Sequence, residues 1–151
     1  MKAEHHAAVA VPVTLGIWYM TGSLFYTGLS LFLGVFVDAD HVFDYIREEK
    51  KFNFRDMFTK SYKGDFKKLY VFFHCYEYIA AAWIYAWLSG NAQFAAVFTI
   101  AYLSHMIPDQ LANNVRPCGY FFTYRALVNF EMDRVFYSPE YRLKKINKKE
   151  D

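Results

Sequence analysis

The feature that most constrains the fold is a long stretch without formal charge near the start of the sequence. Residues 5 to 37 contain no Asp, Glu, Lys or Arg. In a second stretch, residues 69 to 115, the only charged residues are Glu77 and Asp109. Because about 20 consecutive apolar residues are enough to cross a bilayer, both stretches predict membrane-embedded helices.

The composition agrees with this interpretation. Of the 151 residues, 55% are hydrophobic and 21% aromatic, which is high for a soluble domain of this size. A cleaved signal peptide is the alternative for the first stretch, but the run is too long and ends in Asp-Ala-Asp-His. The net charge of +2 gives no reason to expect a nucleic-acid partner. Cys75 and Cys118 form no close-spaced metal motif and support no disulfide argument.

We therefore predict a single all-α domain, an integral membrane helical bundle with three or four membrane-embedded helices. Residues 7–37 are either one helix or a hairpin broken near residues 21–23, since one straight helix would be ~46 Å long against a ~30 Å hydrocarbon core. The positive-inside rule orients the bundle in the cell's inner (cytoplasmic) membrane, with the basic connector on the cytoplasmic face. The other predicted segments are a basic interfacial connector at 42–68, membrane spans at 69–89 and 92–107, an amphipathic helix at 120–137 and a loose charged tail at 142–151.

Polar residues collect at one predicted membrane level, although they come from three separate segments. The first apolar run ends in Asp38, Asp40 and His41, and the two later spans contribute further imidazole and carboxylate groups. Oxygen and nitrogen donors in this mixture are typical ligands of divalent metals. Glu77 adds an ionisable group inside a predicted span, which is costly and points to function. If His6 or its neighbour His5 also joins this level, the first run must be a hairpin.

Residue by residue, structural interpretations compete with the metal site. A histidine at the end of a span is commonly an interfacial residue, and the Asp-rich corner at 38–41 could simply cap the next helix. Pro108 disturbs the helical spacing between His105 and Asp109. The constellation as a whole favours a metal site over these separate explanations.

The pattern resembles the membrane-bound metal-dependent hydrolases of bacteria and archaea, and more distantly the zinc-dependent phospholipases C. The resemblance covers residues 5–114 and lies in a leading His, an Asp-x-Asp-His and a late His-x-x-x-Asp. Many members have His-Arg-Gly before a Thr-His-Ser, where this chain has Phe-His-Cys-Tyr-Glu at 73–77. Together with the residue pattern, the resemblance implies these metal ligands: His6, Asp40, His41, His74, His105 and Asp109.

The expected function is hydrolysis of a phosphoester on a lipid or amphiphile at the cytoplasmic face. Zinc is the expected cofactor, with manganese or iron as alternatives, and it would activate a bound water. Glu77 and Asp38 are the candidate catalytic bases. Arg116 and Asn113 are candidate phosphate-binding residues, although Arg116 could equally be a surface anchor.

Two other classes of function remain open from the sequence. A carboxylate and histidine cluster among helices also suits a di-iron oxidoreductase. The same residues could instead form a structural metal site in a non-catalytic membrane subunit. Haem bound between His74 and His105 as axial ligands is a weaker variant.

Overall fold

The structure is a computed structural model that describes residues 3–63 and 66–137. The described residues fold into helices, and their only β-type pairing is two isolated bridges. A short 3-10 turn, Phe36–Ala39, separates the second helix from the third. The helices are α1 Ala3–Thr21, α2 Leu24–Val35, α3 Asp40–Glu49, α4 Phe54–Lys63, α5 Glu77–Ser89, α6 Ala92–Ala112, α7 Phe122–Leu127 and α8 Met132–Val135.

The first apolar run forms a hairpin of α1 and α2, one of the two arrangements that the sequence left open. Gly22 makes the turn with a positive φ of 60°, a conformation that favours glycine. The side chain of Ser23 then accepts a hydrogen bond from Tyr26 N and caps α2. The two helices touch closely where Gly34 meets Ala10, since a Cβ at Gly34 would lie 2.5 Å from the Ala10 Cβ.

The central helix is α6, against which α1, α2 and α5 pack. Asn91 caps its start by accepting a hydrogen bond from Phe94 N. Ala95 and Ala101 are fully buried, and these small side chains let neighbouring helices approach closely. Tyr102 and Met106 continue the buried side of α6 towards its carboxyl end. The packing brings that end beside the start of α1 and the end of α2.

No helix in the described ranges combines the length and the hydropathy needed to cross a membrane. The predictions of a membrane bundle, of transmembrane helices and of a multi-pass inner-membrane location are therefore wrong. The turn at Gly22 leaves α2 with only 12 residues, and α1, although 19 residues long, begins with the polar residues Glu4, His5 and His6. The predicted span at 69–89 is helical for only 13 residues, and α6 ends in a polar segment that contains His105 and Asp109.

The segment before α5, residues 66–76, is irregular because side chains bind its backbone. Asp44 accepts hydrogen bonds from Tyr70 N and Val71 N, at 3.0 Å for the nearer oxygen in each case. Tyr102 accepts a bond from Cys75 N at 2.7 Å. These bonds replace the helical ones that the apolar composition predicted.

Two other predicted segments also differ in the structure. The connector at 42–68 contains most of α3 and all of α4. The predicted amphipathic helix at 120–137 is two short helices, α7 and α8, because Asn129 and Phe130 have a positive φ of 57° and interrupt it. The predicted tail at 142–151 lies outside the described residues.

Candidate metal centre

Four histidines and two aspartates converge where α1, α6 and the turn after α2 meet. His6 comes from α1, Asp38 from the 3-10 turn, and His105 and Asp109 from α6. In this first set, each residue offers one donor atom, and these atoms lie within 4.8 Å of one another. Asp38, His41 and His74 form a second set by the same criterion. The described residues thus contain a His/Asp group at metal-binding distances, to which we refer below as the His/Asp group.

Four donor atoms of the group, on His74, His105, Asp38 and Asp109, lie close to one another. His74 Nε2 lies 3.3 Å from His105 Nε2, 3.3 Å from Asp109 Oδ2 and 3.4 Å from Asp38 Oδ1. His105 Nε2 lies 3.5 Å from the same Asp38 oxygen and 3.7 Å from the same Asp109 oxygen. Ligands at 2.0–2.1 Å around a tetrahedral zinc are separated by about 3.3–3.4 Å. These five separations, of 3.3 to 3.7 Å, therefore lie near the length that zinc requires.

The outer nitrogen of each central imidazole is held by an acceptor. His74 Nδ1 lies 3.0 Å from Asp40 Oδ2, and His105 Nδ1 lies 3.2 Å from the carbonyl oxygen of Gly34. Since a carboxylate and a carbonyl can only accept, both Nδ1 atoms carry the hydrogen. When the imidazoles are neutral, each Nε2 carries no hydrogen and directs its lone pair into the group. Metal-ligating histidines have the same arrangement, with the outer nitrogen donating to an acceptor.

Four acceptor atoms consequently face one another with no hydrogen between them when the imidazoles are neutral. The side chains of His74, His105 and Asp109 are each about 1% exposed or less, so water screens them little. Such a cage of lone pairs and negative charge is unfavourable unless a cation occupies it. A proton on an imidazole or a metal ion can supply this positive charge.

The pKa values of these groups shift in the directions that this cage requires. Burial opposes the charged form of His74, but the carboxylates of Asp40, Asp109 and Asp38 outweigh it and raise the pKa of His74 well above its usual value. Burial likewise opposes ionisation of Asp38 and Asp109, but hydrogen bonds and charge from the histidines hold both carboxyl pKa values far below their usual range. The Asp38 and Asp109 carboxylates are therefore ionised, and their negative charge attracts a cation.

Two of the predicted ligands have other positions. Asp40 supports the group from outside, because its Oδ2 accepts from Phe73 N at 2.8 Å as well as from His74 Nδ1. His41 lies on the more open side, with its Nε2 3.8 Å from Asp38 Oδ1 and its side chain 22% exposed. Asp38 is similarly exposed, at 21%, so this side gives solvent access to the group.

Glu77, predicted as a base in a helical pair with His74, has a structural role instead. Its carboxylate accepts hydrogen bonds from Phe122 N at 3.0 Å and Thr123 N at 2.9 Å and so caps α7. The prediction that Glu77 and His74 share a helical face is wrong, because α5 begins only at Glu77.

The predicted phosphate-binding residues lie in the C-terminal part of the chain. Arg116 donates to the carbonyl oxygens of Phe136 and Asp133, each at 3.3 Å. Asn113 donates to the hydroxyl of Tyr120 at 3.3 Å. Neither Arg116 nor Asn113 belongs to the His/Asp group.

Sequence reasoning missed two residues that position His74. Asp44 holds the backbone of the irregular segment, and Arg125, which is fully buried, donates to the carbonyl oxygens of His74 and Val71 at 2.8 and 3.1 Å. The sequence could have indicated Asp44, because it lies one helical turn after Asp40. No signal singled out Arg125 among the chain's basic residues.

An apolar groove of about 510 Å³ opens between α5, α6 and the start of α2, lined mainly by aromatic residues such as Phe25 and Tyr85. None of its lining residues belongs to the His/Asp group.

The fold and the site together define a helical protein with a buried, histidine-rich candidate metal centre. No protein-family model, curated protein or solved structure matches this chain. The resemblance to metal-dependent hydrolases therefore stays a prediction.

Proposed function

We propose that this protein is a metal-dependent hydrolase that binds zinc in the His/Asp group and cleaves a phosphoester. The observation that carries the proposal is the inward-facing pair of Nε2 lone pairs on His74 and His105, 3.3 Å apart. Their tautomers are fixed from outside by Asp40 and Gly34. We assign this position to a metal ion rather than to a proton on His74 or His105, because both imidazoles keep their Nδ1 hydrogen bonds when a metal is bound.

The donor set favours zinc over the other metals considered. Imidazole nitrogen and carboxylate oxygen at near-tetrahedral spacing suit zinc. Di-iron carboxylate proteins draw mainly on glutamates from four helices, whereas this group has four imidazoles and two aspartates. The oxidoreductase alternative is therefore less well supported than hydrolysis.

When bound, a divalent ion supplies Lewis acidity and lowers the pKa of a coordinated water towards about 7. His74, His105 and Asp109 would hold the ion, and the partly exposed Asp38 would lie beside it on the side where water can reach it. On the open side, His41 is placed to accept a proton at Nε2, and its Nδ1 has no hydrogen-bond partner among the described residues. This open side distinguishes the group from a closed structural zinc site, whose four positions are all filled by protein.

An amphiphilic phosphoester is the substrate class that the surroundings favour. Phe36 lies two residues before Asp38 and stacks on Phe32, with the ring centroids 5.5 Å apart. Both rings are more than half exposed, so an apolar substituent of a substrate could pack on them while its ester enters the group. Arg116 is engaged with backbone carbonyls and is not needed for this interpretation.

The test measures bound metal and turnover on the same preparations. Purified wild type should contain zinc and hydrolyse bis(p-nitrophenyl) phosphate in preference to p-nitrophenyl butyrate, an acyl ester. His105→Ala should lose both zinc and activity, whereas Glu77→Gln, a matched control outside the group, should keep both. Zinc binding without turnover of either ester would support the structural-site alternative. A wild type that folds but binds no zinc would refute the proposal.

A further inference from the structure

Helix α5 is apolar on all sides but is covered on only one. After its first residue, Glu77, it contains no Asp, Glu, Lys or Arg. Among the described helices it packs mainly against α6, and its buried residues are Ala82 and Ala86. A helix that is hydrophobic all round is normally buried by neighbouring structure. The exposed side of α5 therefore lacks the cover that this composition requires.

The exposed side of α5 carries an apolar stripe at helical spacing. Four residues, which we call the α5 stripe, follow one another at i, i+3, i+4 and i+7 and so share one face: Ala81, Ile84, Tyr85 and Leu88. The three larger side chains are 52–74% exposed. Anchors at this spacing are the pattern by which a helix lies in an apolar groove of a partner.

The α5 stripe borders the apolar groove between α5, α6 and α2. Ala81 and Tyr85 belong to the stripe and also line the groove, and Phe25 lines it from α2. The groove volume of about 510 Å³ lies within the range of about 300–1,000 Å³ that is typical of ligand pockets. The groove therefore has room for the side chains of Ile84 and Leu88 from another molecule.

Because the stripe and the groove share one face, a second copy of this chain can fill both at once. Under a two-fold axis, the α5 stripe of each copy enters the groove of the other, and the contact closes at two molecules. Residues 78–108 contain no Asp, Glu, Lys or Arg, so charges on α5 and the start of α6 do not oppose this approach.

The exposed apolar area is sufficient for such a contact. Phe25 and Tyr78, together with the α5 stripe, present on the order of 600 Å² of surface, scaled from the 150–250 Å² of a whole aromatic side chain. The largest apolar patch on a typical monomer is about 300–600 Å². A standard interface buries about 800 Å² on each partner, and its polar rim supplies part of that area.

Polar groups in the groove favour protein over hydrocarbon as the occupant. Tyr78 and Tyr85 bring hydroxyls, and Asn91 brings an amide whose oxygen already accepts from Tyr26 Oη and Phe94 N. An acyl chain would displace water from the hydroxyls and the amide nitrogen without replacing the hydrogen bonds, which is unfavourable. A second copy brings the same hydroxyls and amide as partners.

We propose that this chain forms a two-fold symmetric dimer in which the α5 stripe of each copy lies in the groove of the other. The inference does not rest on the proposed function, because the groove and the His/Asp group lie towards opposite ends of α6. Phe94 and Phe98 line the groove near the start of the helix, whereas His105 and Asp109 belong to the group near its end. The dimer should therefore form with and without metal.

The experiment is sedimentation velocity of the full chain over a wide range of protein concentrations, without detergent. Wild type should sediment with twice the chain mass of 17.8 kDa. Leu88→Lys should weaken association by about 100-fold or more, because it places an unpaired charge in the contact. Phe25→Asp should weaken it similarly, although it lies on α2. Each new charge suits its helix terminus, so both variants should keep the circular dichroism spectrum of wild type.

Leu127→Lys is the matched control, since Leu127 is an equally exposed leucine at the end of α7, outside the groove. It should dimerise as wild type does. A dimer that persists in folded Leu88→Lys would overturn the proposal, and one that persists in folded Phe25→Asp would show that the stripe does not enter the groove.

The state of the wild type tests the proposal without any variant. A wild type that is monomeric at every concentration, or that forms assemblies larger than two, would overturn the closed dimer. If that monomer instead sediments with phosphatidylcholine vesicles, a lipid surface covers the stripe. None of these results affects the proposed function, which zinc content and ester hydrolysis test separately.

Discussion

Asp40→Asn should lower the affinity for zinc without removing any of the proposed zinc ligands. Asp40 Oδ2 accepts two hydrogen bonds, from His74 Nδ1 at 3.0 Å and from Phe73 N at 2.8 Å. Asparagine keeps the size of the side chain but loses its negative charge, and its amide hydrogens can face His74 Nδ1. The imidazole would then carry its hydrogen on Nε2, where it blocks metal binding.

The expected size of the effect follows from the supporting role of Asp40. Burial opposes ionisation of Asp40, but the charge of His74 and the bonds it receives lower its pKa, so a full negative charge is lost at neutral pH. Loss of such an outer partner typically costs 10- to 100-fold in metal affinity, equivalent to about 1.4–2.7 kcal/mol. Competition with a coloured chelator at pH 7 measures it.

Glu77→Gln provides the control for Asp40→Asn, because it makes the same chemical change on a carboxylate outside the His/Asp group. It should bind zinc with wild-type affinity. If Asp40→Asn also binds zinc as tightly as wild type while remaining folded, the assignment of the His74 tautomer is wrong. The case for inward-facing lone pairs would then fail with it.

Three further predictions concern stability. Asp44→Ala leaves two backbone N–H groups of the irregular segment without their acceptor and should lower the free energy of unfolding by about 1–3 kcal/mol, measured by urea titration; an unchanged midpoint would contradict this. Glu77→Gln weakens the cap of α7 and should cost about 1 kcal/mol in the same assay, and a larger loss together with loss of zinc would contradict its purely structural role. Because the pKa values of Asp38 and Asp109 are lowered by folding, their contribution is present above the unfolded-state pKa of about 3.9 and is lost as the pH falls below it. The Tm of metal-free protein should therefore fall between pH 5 and pH 3, and a constant Tm would contradict the shifts.

The sequence predicted the convergence of histidine and aspartate from three segments, and the structure brings these residues together. The convergence was predictable because polar groups interrupt apolar runs at only a few points, at Asp38, at His74 and at His105. The choice between one helix and a hairpin for residues 7–37 depended on Gly22. Its positive φ is a property of the folded backbone that the sequence permits but does not require.

The irregular segment and the membrane spans were mispredicted for a common reason. Apolar composition predicts burial, but it does not distinguish helix from an extended backbone held by side chains. Asp44 and Tyr102 supply such bonds to residues 66–76, and both act from distant parts of the chain. Glu77 was misassigned because its partners in α7 are equally distant in sequence. Arg125 donates to carbonyl oxygens, which every residue possesses, so no sequence pattern identifies its role.

The close contact between Gly34 and Ala10 connects helix packing to the geometry of the His/Asp group. The peptide oxygen of Gly34 orients His105, while α1, which touches Gly34 at Ala10, carries His6 one helical turn away. A methyl group added at Gly34 would push α1 outward and widen the gap between His6 and the carboxylates that it faces. The hydrogen bond between His6 and Asp109, now 2.9 Å long, would then lengthen or break. The size of one side chain outside the site thus controls how closely α1 approaches the His/Asp group.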